Sequence, residues 1–289
     1  MLDGMVYKQG WSPDDIGWAK FEASKVAPWM LTAIKAAALV EFNAPDYVTY
    51  LKGVFKNEGP EILADIEQWG REERQHGTTL GRWAEMADPS FKLDETFARF
   101  RKGYRPAHFD KPNDASVRGS RRGEMIARCV VESGTSSYYS AIKDATDEPV
   151  LKEIAARIAA DEFRHYKLFY ETLHKQDEPD LPFWKKLLIA INRITESDDD
   201  ELSYAYYCAS VQLEKEAQIP YVRRTYVRAA SNTLLRIYRR RDIRKLTQMV
   251  AKAVGANPHG RLAKLAEGLL WRMLRIRAGL SRATVESTA

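Results

Sequence analysis

The same arrangement of acidic residues and histidine occurs twice in this chain of 289 residues. In each copy a glutamate lies in an apolar stretch, a proline follows, and a Glu-x-x-His turn begins thirteen residues after that proline. The residues of the two copies are Glu41, Glu73 and His76, then Glu132, Glu162 and His165. Because residues three apart project from the same side of a helix, each copy predicts a helical hairpin with a lone Glu on one helix and a Glu–His pair on the next.

Helical periodicity extends over most of the sequence. Alternating β-branched runs are scarce, whereas Ala, Leu, Glu, Lys and Arg recur at helical spacing. Residues 88–119, rich in Pro, Gly, Asp and Lys, are predicted to form a long crossover connection. The predicted helices, with a break near Pro28 left open, cover 13–43, 45–57, 60–87, 120–144, 148–175, 183–195, 199–217, 219–254 and 260–280.

Two antiparallel hairpins joined by a long crossover are the topology of the ferritin-like four-helix bundle. The sequence therefore predicts an all-α protein with such a bundle over residues 1–180. Residues 177–182 contain acidic residues and prolines that are typical of a break. Residues 181–289 are then a basic helical C-terminal extension, packed on or beside the bundle.

The repeated residues have the chemistry of a di-metal site. Two divalent irons need several carboxylates to neutralise them, and one imidazole per metal leaves positions open for O₂. Buried, unpaired carboxylates at Glu41 and Glu132 would be costly without a cation. We therefore predict that two Fe ions, with Mn as the alternative, bind Glu41, Glu73, His76, Glu132, Glu162 and His165.

Three other acidic residues lie close to these turns. Glu171 and His174 repeat the Glu-x-x-His spacing, but nine residues after Glu162 they fall on the opposite face of the helix, where solvent is expected. Glu72 and Asp161 each precede a ligand Glu. These two are either surface acids or acceptors for the free ring N–H of the partner helix's histidine.

The two turns resemble a known family. Residues 72–77 (EERQHG) and 158–165 (IAADEFRH) are similar to the paired signatures of soluble acyl-acyl-carrier-protein desaturases, and the similarity covers about residues 35–175. It implies a ferritin-like di-iron enzyme, an external electron donor such as ferredoxin, and a threonine that lines the oxygen pocket, here Thr135. The residues inside both turns, the short chain and the basic C-terminus depart from that family.

Desaturation of a fatty acyl chain on a carrier protein is the function that this resemblance implies. Other di-iron oxygenases, namely a hydroxylase, an N-oxygenase or an aldehyde deformylase acting on a hydrophobic small molecule, are the nearest alternatives. A ferritin-like or rubrerythrin-like iron-handling protein, without an organic substrate, stays open as a different class. The absence of any CxxC pair argues against a rubrerythrin.

Positive charge is concentrated at the C-terminal end. Residues 222–289 contain sixteen Lys and Arg against three Asp and Glu, and Arg239, Arg240 and Arg241 form a basic cluster. Within 261–280, Leu262, Leu265, Leu269, Met273, Ile276 and Leu280 lie near one helical face. Such a basic amphipathic helix binds an anionic membrane surface, docks an acidic partner such as acyl-carrier protein, or packs on its own bundle. No nucleic-acid motif is evident.

Cellular location follows from composition. The sequence has no apolar run of membrane-spanning length, and its N-terminus lacks the layout of a signal peptide. Its two cysteines, Cys129 and Cys208, are far apart, as expected for a reducing compartment. A cytoplasmic protein is expected, with a peripheral membrane position and a homodimer left open.

Overall fold

The computed structural model describes residues 10–104, 115–196 and 200–286, and within these ranges the regular structure is helical, without a strand. The predicted all-α class is thereby confirmed. The helices are α1 (Pro28–Phe42), α2 (Ala44–Val54), α3 (Pro60–Ala87), α4 (Leu93–Gly103), α5 (Arg121–Ala145), α6 (Pro149–Lys175), α7 (Phe183–Glu196), α8 (Asp200–Ser210), α9 (Arg223–Ile237), α10 (Arg240–Ala253) and α11 (Arg261–Glu286).

Helices α1 and α3 form one antiparallel pair. Phe42, at the end of α1, packs against Gly77 in the middle of α3. Earlier in α1, Lys35 Nζ lies 2.5 Å from Asp88 Oδ2, just beyond the end of α3. Because residues further back in α1 meet residues further on in α3, the two helices run in opposite directions.

Helices α5 and α6 form the second antiparallel pair, joined by the short connection 146–148. Thr135 in α5 contacts Glu162 in α6, whereas Arg122, near the start of α5, donates to the carbonyl of Gln176 after the end of α6. The Glu148 carboxylate caps α6 by accepting from the backbone N–H groups of the first turn.

Contacts between the pairs fix their relative direction. His76 in α3 meets Asp161 in α6, and Trp83 further along α3 donates to Glu148, just before α6 begins. Helices α3 and α6 are therefore antiparallel. It follows that α1 and α6 point one way and α3 and α5 the other, so the connection between α3 and α5 has to run the length of the helices.

The prediction of a helix over 13–43 was wrong for residues 13–27, and the break that it left open near Pro28 is where the helix starts. The helix begins only at Pro28, and the preceding residues form three short 3-10 turns at Pro13–Asp15, Trp18–Lys20 and Ala23–Lys25. Inside a helix, proline would lack the backbone N–H needed for a hydrogen bond and would clash with the preceding turn. At the first helical position neither problem arises. The preceding segment is packed down, since Trp11 and Ile16 are buried.

The predicted connection at 88–119 contains helix α4, which the prediction missed. Its apolar residues Leu93, Phe97, Phe100 and Tyr104 recur at helical spacing, and Phe97 packs edge-on against Phe42 of α1 with ring centroids 4.8 Å apart. The acidic and basic residues between them concealed this period. Residues 105–114 of the connection lie outside the described part of the chain.

The C-terminal helices also differ from prediction. The helix predicted over 199–217 ends at Ser210, and the one predicted over 219–254 is interrupted at Tyr238 and Arg239. At that break the backbone N–H of Arg239 donates to Asp242 Oδ2 at 2.8 Å, a cap that starts α10.

The C-terminal helices pack directly on the bundle formed by α1, α3, α5 and α6. The buried hydrophobic cluster that includes α1 also contains residues from α8 and α9 and the residue that follows α8. They are Tyr204, Ala205, Tyr206, Tyr207, Cys208, Ala209, Val211, Tyr226, Ala230 and Ile237. Glu201 of α8 accepts from Tyr47 at 2.6 Å, and Ser137 of α5 donates to the carbonyl of Asp242 at 3.2 Å. Within the described ranges, no helix combines the length and apolar composition that a membrane span requires.

Candidate metal centre

The structure brings all six predicted ligands together at the centre of α1, α3, α5 and α6. Helices α1 and α5 contribute one glutamate each, and α3 and α6 contribute a Glu-x-x-His turn each. Every one of these side chains is buried, with at most 7% of its residue surface exposed. By contrast, Glu171 and His174 are exposed, as predicted for the third Glu-x-x-His turn.

The six side chains form two overlapping groups of four. Each group offers one ligand atom per residue, and all the ligand atoms within a group lie within 4.8 Å of one another. One group is Glu41, Glu73, His76 and Glu162; the other is Glu73, Glu132, Glu162 and His165. Glu73 and Glu162 belong to both, which is the arrangement expected of carboxylates that bridge two cations.

Both histidines turn the same ring nitrogen inward. His76 Nδ1 lies 3.2 Å from Glu162 Oε1, and His165 Nδ1 lies 2.9 Å from Glu73 Oε1. The two imidazole rings are 5.8 Å apart, centroid to centroid. A neutral imidazole that donates through Nε2 keeps a lone pair on Nδ1, so each ring can give one bond to a metal.

Carboxylates on the facing helices hold the outer nitrogens. His76 Nε2 is 3.0 Å from Asp161 Oδ2, and His165 Nε2 is 2.8 Å from Glu72 Oε2. Of the two roles considered for Glu72 and Asp161, acceptor for the partner helix's histidine is therefore the one that the structure shows. These contacts set the orientation of both rings and favour the tautomer that leaves Nδ1 free for a metal.

Several atoms at the centre of the cluster lack a hydrogen-bond partner among the described residues. They are Glu73 Oε1, His76 Nδ1, Glu132 Oε1, Glu162 Oε1 and His165 Nδ1. The 2.9 Å approach of His165 Nδ1 to Glu73 Oε1 is close but not aligned as a hydrogen bond. Orphaned buried polar atoms are costly and rare, and five that converge on one region fit the ligand atoms of a bound cation.

The electrostatics of the cluster also fit bound cations. Burial raises the pKa of Glu41 well above its usual value, and the neighbouring Glu73 raises it further. Burial likewise raises the pKa of Glu132, with Glu162 adding to the effect. Burial alone would lower the pKa of His76, but contacts with Asp161 and Glu162 raise it to about 9. The raised pKa values favour the protonated forms of Glu41, Glu132 and His76. These protons supply positive charge that bound divalent metals would otherwise provide.

Thr135 lies against one of the shared ligands. Its hydroxyl donates to Glu162 Oε2 at 2.6 Å and is also 3.3 Å from the backbone carbonyls of Val131 and Glu132. The family resemblance implied that Thr135 lines a pocket at the site. The structure adds that its hydroxyl contacts Glu162, one of the two carboxylates that both groups share.

Three residues that contact the cluster were not predicted from the sequence. Tyr139 lies seven residues after Glu132, on nearly the same face of α5, and donates to Glu41 Oε1 at 2.5 Å. Arg164, inside the second turn, donates to Asp161 Oδ1 at 2.5 Å and reaches Glu72 Oε2 at 3.4 Å. Its spacing of three residues from Asp161, on the same helical face, was the available signal.

Trp11 is the third missed residue. Its indole N–H donates to Asp161 Oδ2 at 2.7 Å, and its ring stacks on His76 with centroids 6.1 Å apart. Trp11 precedes the first ligand by thirty residues and belongs to no motif, so the sequence carried no signal for this contact. It closes the cluster on the side of His76.

A glycine beside the first turn allows α1 to approach α3. A Cβ atom at Gly77 would lie 2.5 Å from the backbone nitrogen of Phe42 and 2.8 Å from its Cα. Only a residue without a side chain permits such a close approach of backbones. Because Glu41 precedes Phe42, this contact sets the distance between Glu41 and the ligands of α3.

Comparison with known proteins does not assign this chain to a family. No protein-family model matches the sequence, and no curated protein is significantly similar to it. The geometry of the buried cluster is therefore the basis for any statement about function.

Proposed function

We propose that this protein is an O₂-dependent di-iron oxidoreductase with a ferritin-like bundle. The observation that carries the proposal is the pair of four-ligand groups that share Glu73 and Glu162. The directions of α1, α3, α5 and α6, together with the long connection between α3 and α5, support the ferritin-like assignment. Four carboxylates and two imidazoles suit iron, and manganese accepts the same donors.

Two iron ions, if held by these six residues, would supply the O₂ chemistry needed to oxidise an unactivated C–H bond. The protein's contribution is to bind and orient them. Asp161 and Glu72 hold the histidine rings, and Tyr139 and Thr135 hold the carboxylates of Glu41 and Glu162. Each of these contacts restricts a ligand to one orientation, which keeps the remaining positions around the metals available.

The surroundings of the cluster favour an apolar substrate. One buried hydrophobic cluster includes α1 and the ends of α5 and α6 nearest the 146–148 connection, and a second occupies the opposite ends of α3, α5 and α6. The metal ligands lie between them, where water is excluded. A fatty acyl chain presented by a carrier protein matches this environment and the family resemblance. Its desaturation removes two hydrogens from the chain, consumes one O₂, two protons and two electrons from an external donor such as ferredoxin, and releases two water molecules.

The second candidate is iron handling without an organic substrate. A small cavity lies between α3, α5 and α6, bordered by Ile66, Met125 and Phe169, and its volume is about 10 Å³. That is room for about one water molecule. An acyl chain can enter this part of the core only if the helices or their side chains move apart. A core this tightly closed is compatible with a site that oxidises iron alone.

A single-turnover experiment separates the two. The protein is loaded anaerobically with Fe(II), chemically reduced, mixed with acyl-carrier protein bearing a saturated chain, and exposed to O₂. We expect an unsaturated product that is two mass units lighter, detected by mass spectrometry. A hydroxylated product would indicate a different oxygenase. Iron oxidation without any change in acyl chains of several lengths would support iron handling and contradict the proposal.

Thr135 provides a more specific test. Thr135→Val removes the hydroxyl that contacts Glu162 but preserves side-chain volume. We expect the variant to keep its iron, because Thr135 is not among the six ligands, and to consume O₂ more slowly or release hydrogen peroxide instead of product. Thr135→Ser should restore the wild-type behaviour. Loss of iron from Thr135→Val, or normal turnover, would show that the hydroxyl has a different role.

A further inference from the structure

Helix α7 carries a continuous apolar stripe on its solvent side. Successive residues are rotated by about 100°, which places six large apolar side chains within one half of the helix surface. Each of them is 39–58% exposed: Phe183, Trp184, Leu187, Leu188, Ile191 and Ile194. The other side of the helix packs inward through Ile189 and the buried Ala190. Scattered exposed apolar residues are ordinary, but an aligned set of this size indicates an interaction surface.

Helix α11 has the same property. Leu262, Leu265, Leu269, Met273 and Ile276 follow one another at spacings of three and four, and each is 51–59% exposed. The sequence alone left open whether this face packs on the protein. The structure shows that it does not, because the helix is docked through its other side by buried Ala263 and Glu267.

An ion-pair network sets this orientation of α11. Glu267 Oε1 lies 2.9 Å from Arg240 Nε, and Glu267 Oε2 lies 3.1 Å from Arg244 Nε. Arg241 forms a further ion pair with Asp144 of α5. The basic cluster that the sequence singled out thus pairs substantially with the protein's own acids.

The cations of α11 lie elsewhere. Arg261, Lys264, Arg272 and Arg275 are exposed and form no ion pair with any side chain that the structure describes. On the helix surface they occupy the sector beside the apolar stripe, with Arg272 and Arg261 nearest to it. Between 261 and 276 the single acidic residue is Glu267, which is buried and paired. Over residues 261–276, the exposed surface of α11 is therefore apolar and positive.

Helix α7 lies close to the start of α11. Ala190 belongs to the same buried cluster as Ala253 and Val254, at the end of α10, and Lys186 approaches Gly255 in the connection to α11. Trp184 and the adjacent Lys185 give α7 the aromatic and cationic residues that favour the water–lipid interface. Both exposed stripes thus flank the same short connection.

We propose that the apolar stripes of α7 and α11 bind the surface of a lipid bilayer that contains anionic lipids. The stripes enter the headgroup region while the cations of α11 contact lipid phosphates. A second copy of the chain fits less well, because it would bring two positively charged α11 surfaces together. An acidic protein would satisfy the cations but leaves no need for so many exposed leucines and isoleucines. Membrane binding of this kind is independent of the proposed oxidation chemistry, because neither helix contributes a metal ligand.

The test is flotation of the full-length protein with vesicles. We expect binding to vesicles of phosphatidylcholine mixed with phosphatidylglycerol, and weak binding to phosphatidylcholine alone. Binding should fall between low and physiological ionic strength, because salt screens the attraction between cations and lipid phosphates. No binding to anionic vesicles at low salt would overturn the proposal.

Variants separate the contributions of the stripe and the cations. The triple substitution Leu265→Ser, Leu269→Ser and Met273→Ser should weaken vesicle binding by at least about tenfold, since it removes the apolar groups that enter the bilayer. Lys264→Gln, Arg272→Gln and Arg275→Gln together should abolish the preference for anionic lipid. Met86→Ser, at another exposed apolar residue outside both stripes, is the matched control and should bind like the wild type.

Circular dichroism and iron content test whether the substitutions change anything other than vesicle binding. Circular dichroism should show unchanged helix content, and iron content should also be unchanged, because the substituted residues are exposed and far from the ligands in sequence. Sedimentation without vesicles tests the competing occupant. One outcome is that the wild type sediments as a dimer, and that the Leu265, Leu269 and Met273 substitutions dissociate it while leaving vesicle binding intact. That result would assign the stripe to self-association and overturn the proposal.

Discussion

Replacing either shared carboxylate is expected to remove both metal ions. Wild-type protein should bind about two iron atoms per chain. Because Glu73 and Glu162 belong to both four-ligand groups, Glu73→Ala and Glu162→Ala should each bring the iron content close to zero. Glu41→Ala and His165→Ala each alter one group and should retain about one iron. Metal analysis after anaerobic loading and desalting gives the stoichiometry directly.

The protein supplies its own control for this experiment. Glu171 and His174 have the same spacing on the same helix but are exposed, so Glu171→Ala and His174→Ala should bind iron like the wild type. Circular dichroism of the metal-free variants separates loss of ligand from loss of fold. Equal iron loss from Glu162→Ala and Glu41→Ala would contradict the assignment of Glu162 as a bridge, and undiminished iron in Glu73→Ala would contradict the site.

The second large effect is expected from a single methyl group at Gly77. Its Cβ would lie 2.5 Å from the backbone nitrogen of Phe42, and backbone cannot move aside as a flexible side chain can. Gly77→Ala should therefore push α1 away from α3 and lower the free energy of unfolding by about 2–4 kcal/mol. Since α1 carries Glu41, metal affinity should fall as well. Denaturant unfolding of the metal-free protein and a metal titration measure the two effects separately.

Gly268 is the appropriate comparison for that substitution. A Cβ atom there would have no heavy atom within 4 Å, and the residue lies inside α11. Gly268→Ala should leave metal binding unchanged and stabilise the protein by up to about 1 kcal/mol, because alanine loses less backbone entropy in a helix. If Gly77→Ala unfolds at the wild-type denaturant concentration and binds metal normally, the close approach of α1 and α3 does not set the ligand geometry.

Local sequence was sufficient for most helices and for the six residues that cluster at the candidate site. The starts of α3 and α6 were predictable because Pro60 and Pro149 occupy first helical positions. The clustering of these six residues was predictable because an i, i+3 pair shares a helical face whatever the fold, and because a glutamate within an apolar stretch requires a partner. The helices missed or misjudged had weaker local signals, as in α4, where charged residues conceal the apolar period of Leu93, Phe97 and Phe100.

Tertiary structure alone decided which groups meet. Periodicity places Glu162 and Glu132 toward a common interior, but only packing makes Glu162, and not Glu132, a member of both groups. Trp11 reaches Asp161 across 150 residues, a contact without any local pattern. Likewise the apolar face of α11 could have packed inward, and the ion pairs of Glu267 with Arg240 and Arg244 instead turn it to solvent. Which residues share a helical face is set by residues within one or two turns, so the sequence shows it directly. Which element covers that face depends on all the other elements that can pack there, so only the tertiary structure shows it.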